Sequence, residues 1–150
     1  MIPFFVLVAA FLIFRAVGLM GVSLLDSWPS ALRPALTVMF LLTASAHFGK
    51  GRADLIRMVP PAFPRPAMLV TLTGFLEIAG AIGLLIPATA PAAALGLALM
   101  MVALFPANIY AARHHLTVRG REATPLPLRA VLQVVFIAAV VAAGWIARAS

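Results

Sequence analysis

Thr71-Leu72-Thr73-Gly74-Phe75-Leu76-Glu77-Ile78-Ala79-Gly80-Ala81-Ile82-Gly83-Leu84-Leu85-Ile86-Pro87 is an apolar run with one carboxylic acid near its middle. With the residues just before it, the run reaches the roughly 20 residues that a helix needs to cross a bilayer. An acid at the centre of such a helix costs about 2.5–3.5 kcal/mol on insertion. Other polar groups must offset that cost, and they have to come from neighbouring segments. The reading of this stretch decides the fold class: an all-α, polytopic transmembrane bundle.

Composition agrees. Of 150 residues, 64% are hydrophobic and 10% are charged, against about 25% charged in a soluble domain. The apolar residues fall into five blocks, about Phe4 to Leu25, Ala31 to Phe48, Ala67 to Ile86, Ala92 to Ala112 and Leu128 to Ile146. A single membrane domain over residues 1–150 is expected, with no room for a separate soluble domain. Met1-Ile2-Pro3-Phe4-Phe5 lacks the positive start of a secretory signal, so the first block is expected to be a retained helix. Asp26-Ser27-Trp28-Pro29 is expected to end it, with Trp28 as an interfacial anchor and Pro34 in the first turn of the next helix.

The net charge of +7 is not read as a nucleic-acid signal. Five spans place Lys50, Arg52, Arg57, Arg65, Arg113, Arg119, Arg121 and Arg129 on one side, and only Arg33 and Arg148 on the other. The positive-inside rule then puts the N-terminus and the basic loops in the cytoplasm and the C-terminus outside. The loop after the second block opens with alternating basic and apolar residues, Gly49 to Val59, which suits a short interfacial helix. Pro60 to Pro66 is expected to be extended, because residues before proline avoid the helical region. The loop reads either as a stiff connector or as a lid.

Depth follows from the 1.5 Å rise per residue. Glu77 falls roughly 15 Å from the cytoplasmic edge, Gln133 about 8 Å, Asn108 about 6 Å and His47 within the last turn or two. Thr43 lies four residues before His47, Thr73 four before Glu77 and Arg129 four before Gln133, so each pair shares a helix face. Pro106 has no N–H for the Val102 carbonyl, which is expected to be left free beside Asn108. Ala79 and Gly83, and Ala103, Ala107 and Ala111, form small-xxx-small steps suited to close helix contact. Gly80 lies on the face of Glu77 and leaves space for another helix or a ligand. Arg15 is expected to snorkel or to pair with Asp26 or Glu77.

Two readings of Glu77 stand side by side. It is interhelical glue, hydrogen-bonded to His47, Asn108 or a carbonyl, or it is a functional group that anchors a ligand or exchanges a proton. Interhelical hydrogen bonds contribute about 0.6–2 kcal/mol, less than the insertion cost, which favours the functional reading. The chain has no cysteine, so thiol chemistry and thiolate-held clusters are excluded. His47 is the lone intramembrane histidine and no paired-ligand spacing is present, so no haem or metal site is expected. No hydrolytic triad or nucleotide-binding glycine motif is present.

Several pieces in order carry a family resemblance: Phe40 to Phe48, Met58 to Pro66, Gly74 to Pro87, Leu104 to Tyr110 and Leu128 to Gln133. Over about Ala35 to Trp145 the chain resembles the DoxX-like family of small bacterial membrane proteins. The resemblance implies a four-helix core over residues 31–150, with residues 1–30 an added N-terminal helix, in a bacterial cytoplasmic membrane. It marks His47, Glu77, Asn108 and Gln133 as motif positions, supported by Thr43, Thr73, Arg129 and Tyr110. It implies an accessory role in a redox system, with quinone or lipid as ligand and the bilayer and a redox protein as partners. The alternatives are a quinone-linked oxidoreductase subunit and a purely structural partner-binding bundle.

Overall fold

The computed structural model describes residues 1–118, 120–122 and 124–145. Arg119 and Arg148, used above for orientation, and Ile146, the expected end of the last span, lie outside them. Seven helices account for most of the chain: α1 (Ile2–Leu19), α2 (Trp28–Phe48), α3 (Arg52–Met58), α4 (Pro66–Leu85), α5 (Ala90–Ala103), α6 (Phe105–Arg113) and α7 (Leu126–Trp145). Five segments are long and apolar enough to cross a membrane, with α5 and α6 together forming the fourth. The protein is an all-α bundle. Among the described residues the one strand pair is a two-residue antiparallel ladder, Thr117–Val118 with Arg121–Glu122, in the second basic loop.

Helices α2, α4, α5 and α7 close a ring, each packed on the next, and α7 returns to α2. Helix α1 docks from outside on α2. The architecture is therefore a four-helix core with one added N-terminal helix. Its centre is filled by Leu36, Met39 and Phe40 of α2, Ala81 and Leu84 of α4, Leu97 of α5 and Val140 of α7, joined by Leu7 of α1. Large apolar side chains also point outward, Phe75 at 59% exposure and Val134 at 67% among them. An apolar exterior suits lipid rather than water, because the bilayer core makes no hydrogen bonds and penalises polar groups.

Glycines set the helix spacing. A Cβ on Gly144 would lie 2.4 Å from the Ala94 Cβ, and one on Gly83 would lie 2.8 Å from the Ala93 Cβ. Both contacts let backbones approach where no aqueous hydrophobic effect drives association. Buried polar ties add to the seam. Thr37 donates to the Ala81 carbonyl at 2.9 Å, and Arg33 Nε donates to the Ala143 carbonyl at 3.0 Å.

Several boundaries differ from expectation. Ser27 and Ser30 form a reciprocal cap, so α2 starts at Trp28 rather than Ala31. Pro29 thus opens this helix, and Pro34 lies inside it rather than in its first turn. Helix α1 ends at Leu19, before a 3-10 turn at Ser23–Leu25. Pro60 to Pro66 is not extended throughout. The Phe63 N–H donates to the Pro60 carbonyl at 3.0 Å, closing a turn with proline at its favoured second position. Arg65 then takes the left-handed conformation, φ 53°, immediately before α4. The short helix expected in this loop is α3.

Candidate functional site

The polar residues of α2 and α4 meet where these helices are closest. Gly74 permits the approach: a Cβ there would lie 2.7 Å from the His47 Cβ and 2.9 Å from the Phe48 ring. One turn further along α4, Glu77 turns its carboxyl toward α2. Thr43 Oγ1 is 2.8 Å from Glu77 Oε1, and His47 Nε2 is 3.4 Å from Glu77 Oε2. Both His47 and Glu77 are only 8% exposed.

The hydrogen-bond pattern fixes the proton count. His47 Nδ1 lies 2.7 Å from the Val70 carbonyl, which only accepts, so Nδ1 carries a hydrogen. In a neutral ring Nε2 is then an acceptor, and it faces a carboxylate oxygen. Two acceptors at that distance repel unless one proton lies between them. The pair therefore holds a single proton, either on Glu77 and directed at Nε2, or on Nε2 and directed at Oε2. Either way its net charge is zero, which removes most of the cost of an isolated ion in hydrocarbon.

Thr43 accommodates both states. Its oxygen is also 3.0 Å from the Phe40 carbonyl. It can donate to Oε1 in either state, because the shared proton lies on the Oε2 side in both. Oε2 differs, because it is buried and makes no hydrogen bond of good geometry. Unsatisfied buried polar atoms are rare and commonly mark a catalytic role or an absent water or ion. Thr73 Oγ1 stands 3.3 Å from His47 Nδ1 and donates back to the Leu69 carbonyl at 2.9 Å.

Arg52 closes the end of the pair. Its guanidinium donates to the His47 carbonyl at 2.9 Å, to the Ala67 carbonyl at 3.1 Å and to Thr71 Oγ1 at 2.9 Å. It thereby ties the last turn of α2 to the first turn of α4, and a cation suits the C-terminal end of a helix. The sequence places Arg52 only among loop charges. Its cue is Gly49 and Gly51, which turn the chain back over the end of α2.

Asn108 and Gln133 belong to a second polar group. Asn108 Oδ1 accepts from Arg129 at 2.7 Å, and Arg129 Nε donates to the Thr124 carbonyl at 2.9 Å. Gln133 Nε2 donates to the Met101 carbonyl at 2.8 Å. These bonds brace the break at Leu104 that divides α5 from α6, two residues before Pro106. The carbonyl that Gln133 meets is that of Met101, one residue before the Val102 carbonyl expected to be left free beside Asn108. Among the described residues, no hydrogen bond joins this group to His47 or Glu77. Tyr110 stacks on His114, with ring centroids 4.0 Å apart.

The space beside Gly80 admits another helix, one of the two expected occupants: Leu97 of α5 lies 2.6 Å from where a Cβ would stand. Arg15 pairs with neither carboxylate. It donates to the backbone carbonyls of Leu25 and Asp26, capping the turn after α1. Among the described residues, no three His, Cys, Asp or Glu side chains stand together to hold a metal.

Five apolar spans around a buried carboxyl–imidazole pair define a multi-pass membrane protein of the helical-bundle class. The chain belongs to a family described as a domain of unknown function, DUF8561, whose model matches residues 36–144. The match takes in α3 to α6, most of α2 and all but the last residue of α7, and leaves α1 outside. No curated protein and no solved structure matches the chain.

Proposed function

We propose that this protein binds a small, uncharged hydrophobic ligand within the membrane, a quinone or a lipid, and that the His47–Glu77 pair is its polar anchor. One observation carries the reading: Glu77 Oε2 is buried, lacks a hydrogen bond, and lies 3.4 Å from His47 Nε2. The pair can accept from or donate to a carbonyl or hydroxyl by relocating its single proton, while Thr43 holds Oε1. Its zero net charge suits a neutral ligand. Arg52 holds the two helix ends that position it. The DoxX-like resemblance supports an accessory role beside a redox partner in a bacterial cytoplasmic membrane.

The orientation that goes with this reading places the N-terminus and α3 in the cytoplasm, by the excess of Lys and Arg on that side. The pair then lies in the cytoplasmic half of the bilayer. A reporter fused after Ser150 should be active only on the outer side, and cytoplasmic activity contradicts the orientation. The ligand reading is tested by purifying the protein in mild detergent and analysing its solvent extract by mass spectrometry. A neutral hydrophobic molecule should be enriched over bulk lipid in the wild type. It should be depleted in Glu77→Gln, and equal content in both would count against the reading.

A further inference from the structure

A cleft of about 910 Å³ runs between α4 and α5, bounded by Thr73 near one end and by Ile86 and Thr89 at the other. We propose that it holds the hydrocarbon chain of a neutral amphiphile, whose hydroxyl head donates to Thr73. The proposal rests on the reading of His47 and Glu77 as a ligand site, and it names the class of ligand and where its chain lies.

The lining sets the chemistry. Thr73 and Thr89 are the two polar side chains on it, and no charged side chain among the described residues lines it. The Thr89 hydroxyl is committed to the Gly83 carbonyl at 2.9 Å. Thr73 has a free lone pair and touches His47, so the polar end of the cleft adjoins the buried pair. Glu77 itself faces α2, but Thr73, Leu76 and Gly80, which flank it on α4, all line the cleft. Thr73 lies seven residues into α4, about 10 Å along the helix. A head at that depth is expected to be uncharged, because no charged side chain among the described residues lines the cleft to pair with a phosphate, and unpaired charge in hydrocarbon is costly.

The shape favours a chain over a helix. Small residues, Gly83, Ala93 and Gly96, line the cleft, while the large side chains of Leu76, Ile82 and Leu99 are 49%, 52% and 60% exposed along it. Close helix packing in membranes needs small residues where the backbones approach, and these bulky neighbours hold a second helix off. A flexible hydrocarbon chain fits between them. The volume falls within the roughly 300–1,000 Å³ of small-molecule sites.

Gly96 offers a test. A Cβ there meets nothing within 4 Å, so Gly96→Leu starts from open space on the cleft wall. The probes are hexadecanol and phosphatidylcholine, each carrying a photoreactive diazirine in its chain, added to the purified protein in detergent. Hexadecanol should label residues of α4 and α5 along the cleft, and the phospholipid should not compete. Gly96→Leu should weaken hexadecanol labelling about tenfold with an unchanged melting temperature, and Thr73→Val should weaken it less. Unchanged labelling in Gly96→Leu overturns the proposal, as does equal labelling by phosphatidylcholine. A wild-type dimer that Gly96→Leu dissociates also overturns it, by assigning the cleft to a second copy. If the co-purifying ligand is lost in Glu77→Gln but kept in Gly96→Leu, the cleft is wrong and the anchor stands. The reverse pattern removes the anchor and keeps the cleft.

Discussion

His47 Nε2 and Glu77 Oε2 are 3.4 Å apart in the interior of the bundle, and the other ring nitrogen already donates to the Val70 carbonyl. That relationship requires one shared proton and yields a pair without net charge. A glutamine at position 77 can imitate the protonated state, its amide N–H directed at Nε2 and its oxygen accepting from Thr43. Glu77→Gln should therefore fold with a stability within about 1 kcal/mol of wild type. Glu77→Leu leaves the Nε2 lone pair without a donor and Thr43 with only the Phe40 carbonyl, and should be less stable than Glu77→Gln. Thermal melts in one detergent check the order. A Glu77→Gln variant much less stable than Glu77→Leu removes the shared-proton account.

Thr43 is the second partner of the acid. Thr43→Val keeps the shape and removes the hydroxyl 2.8 Å from Oε1. The expected loss is about 0.6–2 kcal/mol, the span measured for hydrogen bonds between membrane helices. Thr43→Ser should recover most of it. Unfolding in mixed micelles gives the comparison, and equal stability of Val and Ser at this position would show that the hydroxyl is unused.

Gly74 sets the distance between the helices that carry the pair. Gly74→Ala puts a Cβ 2.7 Å from the His47 Cβ. Overpacking of this kind costs about 1–3 kcal/mol, and here it also moves His47 relative to Glu77. Gly144→Ala meets Ala94 at 2.4 Å, between α5 and α7, away from the pair. Both variants should be destabilised, but only Gly74→Ala should lose bound ligand in proportion greater than its loss of folded protein. Ligand content per folded molecule, by mass spectrometry, separates them.

Gln133 reports on the second polar group. Gln133→Leu removes the donor to the Met101 carbonyl beside the break at Leu104. Stability should fall by about 0.6–2 kcal/mol while ligand content per folded molecule is unchanged. A selective loss of ligand in this variant would place Gln133 in the binding site after all.

The five spans were legible because hydrocarbon imposes a simple rule, about 20 apolar residues per crossing. Their ends were less so. Asp26 to Pro29 reads as a breaker until Ser27 and Ser30 are recognised as a cap, and then the same prolyl residue begins α2. The faces of Thr43 with His47 and of Thr73 with Glu77 followed from helical spacing alone. That His47 and Glu77 meet each other depends on the contact at Gly74 and on the relative rotation of α2 and α4, which spacing does not encode. The same limit explains Asn108 and Gln133. Depth put them at a level similar to the rest of the polar set, but rotation turns Asn108 to Arg129 and Gln133 to a carbonyl at the helix break.

The most direct measurement of the central claim is the infrared difference between wild type and Glu77→Gln, taken on protein stripped of lipid and again after reloading with total membrane lipid extract. The account predicts a carboxyl band that is absent from Glu77→Gln and that shifts on reloading, as the shared proton moves toward or away from the bound head group. A Glu77 band at the same position in stripped and reloaded protein would contradict it.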